Sequence, residues 1–139
     1  LFKKMISQKI IKIALNTKYS GLDNFFTHKS AIKNSLCGDR IKIQVIANNT
    51  RINSMRYETE SCVLCEASAS LLAKKIKNYS LKNFKKDIKL LKKSIKDRKS
   101  TLPSKFKEFK FFLTKDNANR VNCVILPLDA LIKAFKLKI

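Results

Sequence analysis

Glycine and proline supply only four of the 139 residues, histidine one and tryptophan none. So little glycine and proline excludes a collagen-like rod and a disordered linker. No apolar run approaches the roughly 20 residues that a membrane-crossing helix needs. With His28 the single histidine, Ser68 and Ser70 have no imidazole base in sequence reach, so a serine nucleophile is set aside. Cysteine is also sparse: four thiols, at 37, 62, 65 and 123, are too few for a disulfide-built scaffold in a chain of this length. What remains is 45% apolar residue in a chain long enough to bury about two thirds of its unfolded surface. One compact domain over 1–139 is expected, with no membrane span.

Acidic residues are the other shortage, 10 against 31 basic ones, for a formal charge of +21. Such a balance suits an acidic protein partner or nucleic acid. The basic set is 26 Lys to 5 Arg, however, and Arg is the side chain that reads phosphate and base edges bidentately. Asn and Ile are abundant too, so AT-rich codon usage alone would produce the lysine excess as a solvated surface. The strand expected over 41–47 carries no aromatic to stack a base, which further argues against nucleic acid.

Apolar spacing outlines the elements. Phe2, Ile6, Ile10, Ile13 and Thr17 share one face of an amphipathic helix. A polar stretch with Asn24, His28, Lys29 and Ser30 is expected as loop. Cys37-Gly38-Asp39 is a turn signal before the alternating strand Ile41, Ile43, Val45, Ala47. Asn48-Asn49 predicts a hairpin turn and a returning strand over 52–59. A helix then begins at Cys62, with Ser61 as N-cap and an inner face of Cys65, Ala69, Leu72, Ile76 and Tyr79.

Leu81, Phe84, Ile88, Leu91 and Ile95 define a lysine-flanked helix, broken between 98 and 104. Phe106, Phe109 and Phe112 suggest a short helix of ambiguous period. After a loop at 116–119, a last helix follows Cys123, with Pro127 tolerable in its first turn if it starts near Val124. The order implies an α+β fold: a small antiparallel sheet of two to three strands with about five helices packed on one side.

Three cysteines fall at element ends, where loops meet regular structure and side chains from distant positions can converge. Helix N-termini favour the thiolate that binds metal or attacks sulfur. Asp39, two residues beyond Cys37 across a glycine, adds a carboxylate. Three thiolates and a carboxylate form a chemically sensible tetrahedral zinc set, although gaps of 24 and 57 residues match no zinc ribbon. Cys65 lies on the apolar stripe and is expected as core, and His28 has no ligand spacing to any cysteine. The lysine-rich N-terminus has spaced rather than continuous apolar residues, unlike a secretory leader, so reduced cytoplasmic thiols are expected.

The segment from Leu36-Cys37-Gly38-Asp39 through the hairpin to Ser61-Cys62-Val63-Leu64-Cys65-Glu66-Ala67-Ser68-Ala69-Ser70 resembles the NifU/IscU iron–sulfur assembly family. That family's hallmarks are a C-G-D turn and a G-C-x-x-x-x-A-S-A-S helix start. Arg120-Val121-Asn122-Cys123, with Ala130-Leu131 beyond, is similar to the family's third cysteine region. Asn122 stands where the IscU branch has histidine, and a helical insertion spans about 80–116. Both traits, with Arg-x-x-Cys, resemble the SufU branch. The resemblance implies metal ligands Cys37, Asp39, Cys62 and Cys123 for zinc, and Cys37 as acceptor of persulfide sulfur from a cysteine desulfurase. It also implies downstream iron–sulfur acceptor or scaffold proteins as partners, with Arg120 in support. The alternative it carries is a scaffold for a transient [2Fe–2S] cluster on Cys37, Cys62 and Cys123.

Overall fold

The computed structural model describes residues 8–35, 38–99 and 101–138. Helix α1 (Gln8–Leu15) keeps the inward Ile10 and Ala14, while the Phe2 and Ile6 end of the expected face lies outside the described residues. Strands β1 (His28–Lys33), β2 (Arg40–Ala47), β3 (Arg51–Glu60) and the two-residue β4 (Tyr79–Ser80) form one antiparallel sheet in that order. The β2–β3 hairpin turns at Asn48, whose side-chain oxygen accepts the amides of Thr50 and Arg51. Alternation aims Ile41, Ile43 and Val45 of β2 and Met55 and Tyr57 of β3 into the core, and a register shift opposite Ile46 and Ala47 returns Ile52 to the same face.

Two strands go beyond the sequence reading. His28, Lys29 and Ser30, expected as loop, open β1, an edge strand whose sequence HKSAIK has no fully buried residue to mark it. Tyr79, expected at the end of a helix, is instead buried in β4 beside Ile52. The sheet therefore has four strands rather than two or three.

Helix α2 (Val63–Ile76) lies on β3, and α4 (Val121–Ala134) lies on β1 and β2 and packs against α2. Helix α3 (Phe84–Lys96) covers α4 with Ile88, Leu91 and Ile95, and its lysines are exposed as its spacing predicts, except Lys92, which pairs with Asp129 of α4 at 2.8 Å. A 3₁₀ segment (Ser104–Phe112) buries Phe106, Phe109 and Phe112, whose three-residue spacing is the 3₁₀ period itself. The expected loop at 116–119 is a second 3₁₀ turn (Lys115–Arg120) that runs directly into α4. Consequently α4 begins three residues before Val124, and Pro127 sits inside it. The missing Pro127 N–H leaves the Cys123 carbonyl without its ordinary helical donor. No helix among the described residues is long and apolar enough to cross a membrane.

The start of α2 is nearly all small or apolar. Ala67, Ser68, Ala69 and Ser70 are all buried, because this helix is covered by the sheet on one side and by α1 and α4 on others. Their small size permits the close approach, and the two hydroxyls are satisfied by neighbouring backbone. Ser68 donates to the Val124 carbonyl at 2.6 Å, and Ser70 to the Asn16 carbonyl at 2.9 Å.

Candidate metal centre

Sheet register brings the site together. Arg40 opens β2 opposite Glu60, the last residue of β3, so Asp39 and Cys62 flank the same sheet end. Lys33, the end of β1, pairs with Arg40 there as well. The connection between those strands is pinned by two backbone bonds of 2.7 Å, Asn34 N–H to the Asp39 carbonyl and Gly38 N–H to the Asn34 carbonyl. Gly38 turns the chain with φ of 79°, a left-handed conformation that side chains other than glycine's rarely adopt. The Ser68–Val124 bond ties α4 to α2 and so fixes Cys123 relative to Cys62.

The result is a cluster of one carboxylate oxygen and two sulfurs, from Asp39, Cys62 and Cys123, all within 4.8 Å of one another. Asp39 and Cys123 are buried and Cys62 is partly buried. Cys62, not Ser61, is the N-cap of α2, and its own amide donates to Asp39 Oδ1 at 3.3 Å. The Ser61 hydroxyl reaches the Cys62 carbonyl instead. Asp39 Oδ2 is buried with no hydrogen-bond partner among the described residues. An orphaned carboxylate oxygen on a residue clustered with two thiols is unfavourable in the bare protein and is what a cation would satisfy.

Electrostatics at the cluster are mutual. Burial pushes the Cys123 thiol well above its ordinary range, and the neighbouring Cys62 adds to the push while Arg120 opposes it. The Arg120 guanidinium interacts first with Cys123 and then with Cys62, and both raise its own affinity for its proton. Arg120 therefore interacts with both sulfurs, Cys123 being the one its Arg-x-x-Cys spacing suggests. The soft sulfur donors with one oxygen suit zinc or iron rather than calcium or magnesium.

Of the other residues singled out from sequence, Cys37 lies outside the described residues. Cys65 is fully buried in the core, and burial pushes its thiol up to about 12. His28 is at the far end of β1, paired with Val45 and stacked on Phe135 at 4.3 Å. Five strand steps separate it from Lys33, about 17 Å from the cluster end of the sheet. The role of Ser68 as a tie between the two cysteine-bearing helices was not legible as such. Its signal was the run of small residues, which marks close helix approach.

Residues 5–122 match the family model of the NifU-like N-terminal domain. A 76-residue stretch is 32% identical to the iron–sulfur cluster assembly scaffold protein IscU of Thermotoga maritima, spanning 55% of this chain and 54% of that one. An uncharacterized protein of Borreliella burgdorferi is 28% identical over 126 residues, 91% of this chain and 79% of the relative. The crystal structure of a NifU-like N-terminal protein from Brucella abortus superposes with a TM-score of 0.83 at 18% identity, covering 94% of this chain and 91% of that one. A SUF-system iron–sulfur assembly scaffold from Fervidobacterium islandicum gives 0.82 at 20% identity, covering 94% and 96%. The fold is thus shared with both, and with its family model matched over most of its length the chain belongs to the NifU-like N-terminal domain family.

Proposed function

We propose that this chain is an iron–sulfur cluster assembly protein of the SufU-like kind, a single cytoplasmic domain that accepts sulfur from a cysteine desulfurase and passes it on. The convergence of Asp39, Cys62 and Cys123 within 4.8 Å is the observation that carries this reading. Cys37, two residues before Asp39 in sequence, is read as the fourth ligand and as the sulfur acceptor. Zinc, when bound to these four, keeps the thiols as thiolates and out of reach of oxidants. In the transfer, the Cys37 thiolate attacks the terminal sulfur of the desulfurase persulfide. The new S–S bond forms on Cys37 and the enzyme's cysteine leaves as thiolate.

The remaining residues have supporting tasks. Asp39 supplies the oxygen donor and holds the Cys62 amide. Arg120 offsets negative charge on the Cys123 and Cys62 sulfurs. The alternative, an IscU-type scaffold on which iron and sulfide are assembled as cargo at the same residues, is favoured by the identity to the Thermotoga maritima protein. Asn122 and the Arg-x-x-Cys pattern favour the relay. Measuring alanine and sulfide release by a cysteine desulfurase, with the wild-type chain and with Cys37→Ser, separates the versions. Stimulation that survives Cys37→Ser would sink the relay.

A further inference from the structure

One thiol of the four has no place in the mechanism above. Cys65 is the third residue of α2 and Cys62 its N-cap, so the two form a C-x-x-C across the first turn of a helix. An N-cap side chain is directed at the third helical residue, the position whose amide an N-cap Ser or Thr ordinarily receives. In helical geometry those two Cα atoms are about 5 Å apart, inside the window of roughly 4.4–6.8 Å that a disulfide spans. Cys62 makes no side-chain capping bond that would have to be broken first. It is also partly exposed, whereas Cys65 is fully buried. This is a division between an accessible thiol and a sheltered one.

We infer that Cys62 and Cys65 are a redox pair, and that a peroxide converts them to a disulfide within the first turn of α2. In the first step the Cys62 sulfur attacks a peroxide oxygen. The O–O bond breaks, leaving a sulfenic acid on Cys62 and hydroxide, which takes the thiol proton. In the second step the Cys65 sulfur attacks the Cys62 sulfur. The S–S bond forms, the S–O bond breaks, and water leaves with the Cys65 proton. The two thiols lose two electrons and the peroxide is reduced to two waters.

Cys65 is favoured over Cys123 as the resolving thiol because it shares a turn with Cys62. The Cys123 sulfur also lies within 4.8 Å of that of Cys62 and is the competing resolving thiol, but the Arg120 guanidinium is engaged with both of those sulfurs. Closing the pair takes Cys62 out of the donor set, so oxidation of the metal-free chain would block loading of the centre reversibly. That consequence rests on the metal reading; the bridge itself does not.

The test treats the full-length, chelator-stripped chain with hydrogen peroxide and maps cysteine peptides by mass spectrometry without reduction. The expected result is a Cys62–Cys65 bridge, removed by dithiothreitol. Cys65→Ser and, as a second packing control, Cys65→Ala should instead accumulate a Cys62 sulfenic acid trapped by dimedone. A bridge from Cys62 to Cys37 or Cys123, or oxidation that leaves Cys65 reduced in the wild-type chain, would overturn the inference. Failure of the metal reading would show separately, as absence of zinc uptake by the untreated protein.

Discussion

Asp39 is the residue at which folding and function should part company. Its Oδ1 accepts the Cys62 amide at 3.3 Å, a long bond, and its Oδ2 is buried without a partner. Asp39→Asn keeps the shape and the acceptor while replacing the orphaned oxygen by an amide donor beside the two-sulfur cluster. Relief of an unsatisfied buried group contributes about 1–3 kcal/mol. Loss of a negative charge at the N-terminus of α2 costs about 0.3–1 kcal/mol. The metal-free variant should therefore be as stable as wild type or more stable, by up to about 2 kcal/mol. Zinc affinity should fall at least tenfold, about 1.4 kcal/mol. Urea unfolding of chelator-treated protein reads the first quantity as a shift in midpoint at constant slope. Competition with a chromophoric chelator reads the second. Destabilisation of the metal-free form by more than about 2 kcal/mol, or unchanged zinc affinity, would refute the assignment of Asp39 as a ligand held at the expense of folding.

Three further outcomes follow from the packing. The Tyr57 phenol is fully buried, and burial pushes its pKa from 10.0 up to about 12. Its neutral form is favoured in the folded state, so stability is intact below pH 10 and lost as pH rises toward 12. Tyr57→Phe should remove up to about 2.7 kcal/mol of that alkaline loss relative to wild type in paired denaturation curves, the lysines being common to both. Glu108 pairs with Lys75 at 2.5 Å, which holds its carboxyl below its ordinary 4.5. Its contribution is present above that value and disappears as pH falls through the folded pKa. Since the Glu108 side chain is 41% exposed, Glu108→Gln should cost no more than about 1 kcal/mol at neutral pH, and the gap should close in acid. Leu91→Ala, at a fully buried contact of α3, should lower stability by about 2–5 kcal/mol in denaturant unfolding while leaving zinc uptake by the folded protein unchanged, since no cluster residue lies on α3.

Elements with a strong one-sided burial pattern were legible in the sequence. The β2–β3 hairpin and α3 fall where alternation and helical spacing put them, because each buries one continuous face. Strand β1 is not legible in the sequence, because an edge strand with only partly buried positions carries no apolar alternation, and its pairing comes from β2. The early start of α4 was hidden by Pro127, which normally marks a first turn. At the site, Asp39, Cys62, Cys123 and Arg120 could be named from motif and position. Their convergence is expected from their places at element ends and from the resemblance, but its geometry is not legible, since it depends on the Arg40–Glu60 register and on the Ser68–Val124 tie. The N-cap role of Cys62 was assigned to Ser61 for a similar reason. Serine is the better cap by type, but the helix begins one residue later and leaves a thiol at the cap.

The most direct test of the metal centre is elemental and acid-labile sulfide analysis of protein purified without oxygen or added metal, for wild type, Cys62→Ser and Cys123→Ser. The account predicts about one zinc per wild-type chain, no sulfide, and loss of the metal in both variants. Iron with matching sulfide, lost in the same variants, would keep the site and transfer its use to cluster assembly. Folded wild-type protein with no metal, or metal retained when both cysteines are replaced, would contradict the central claim.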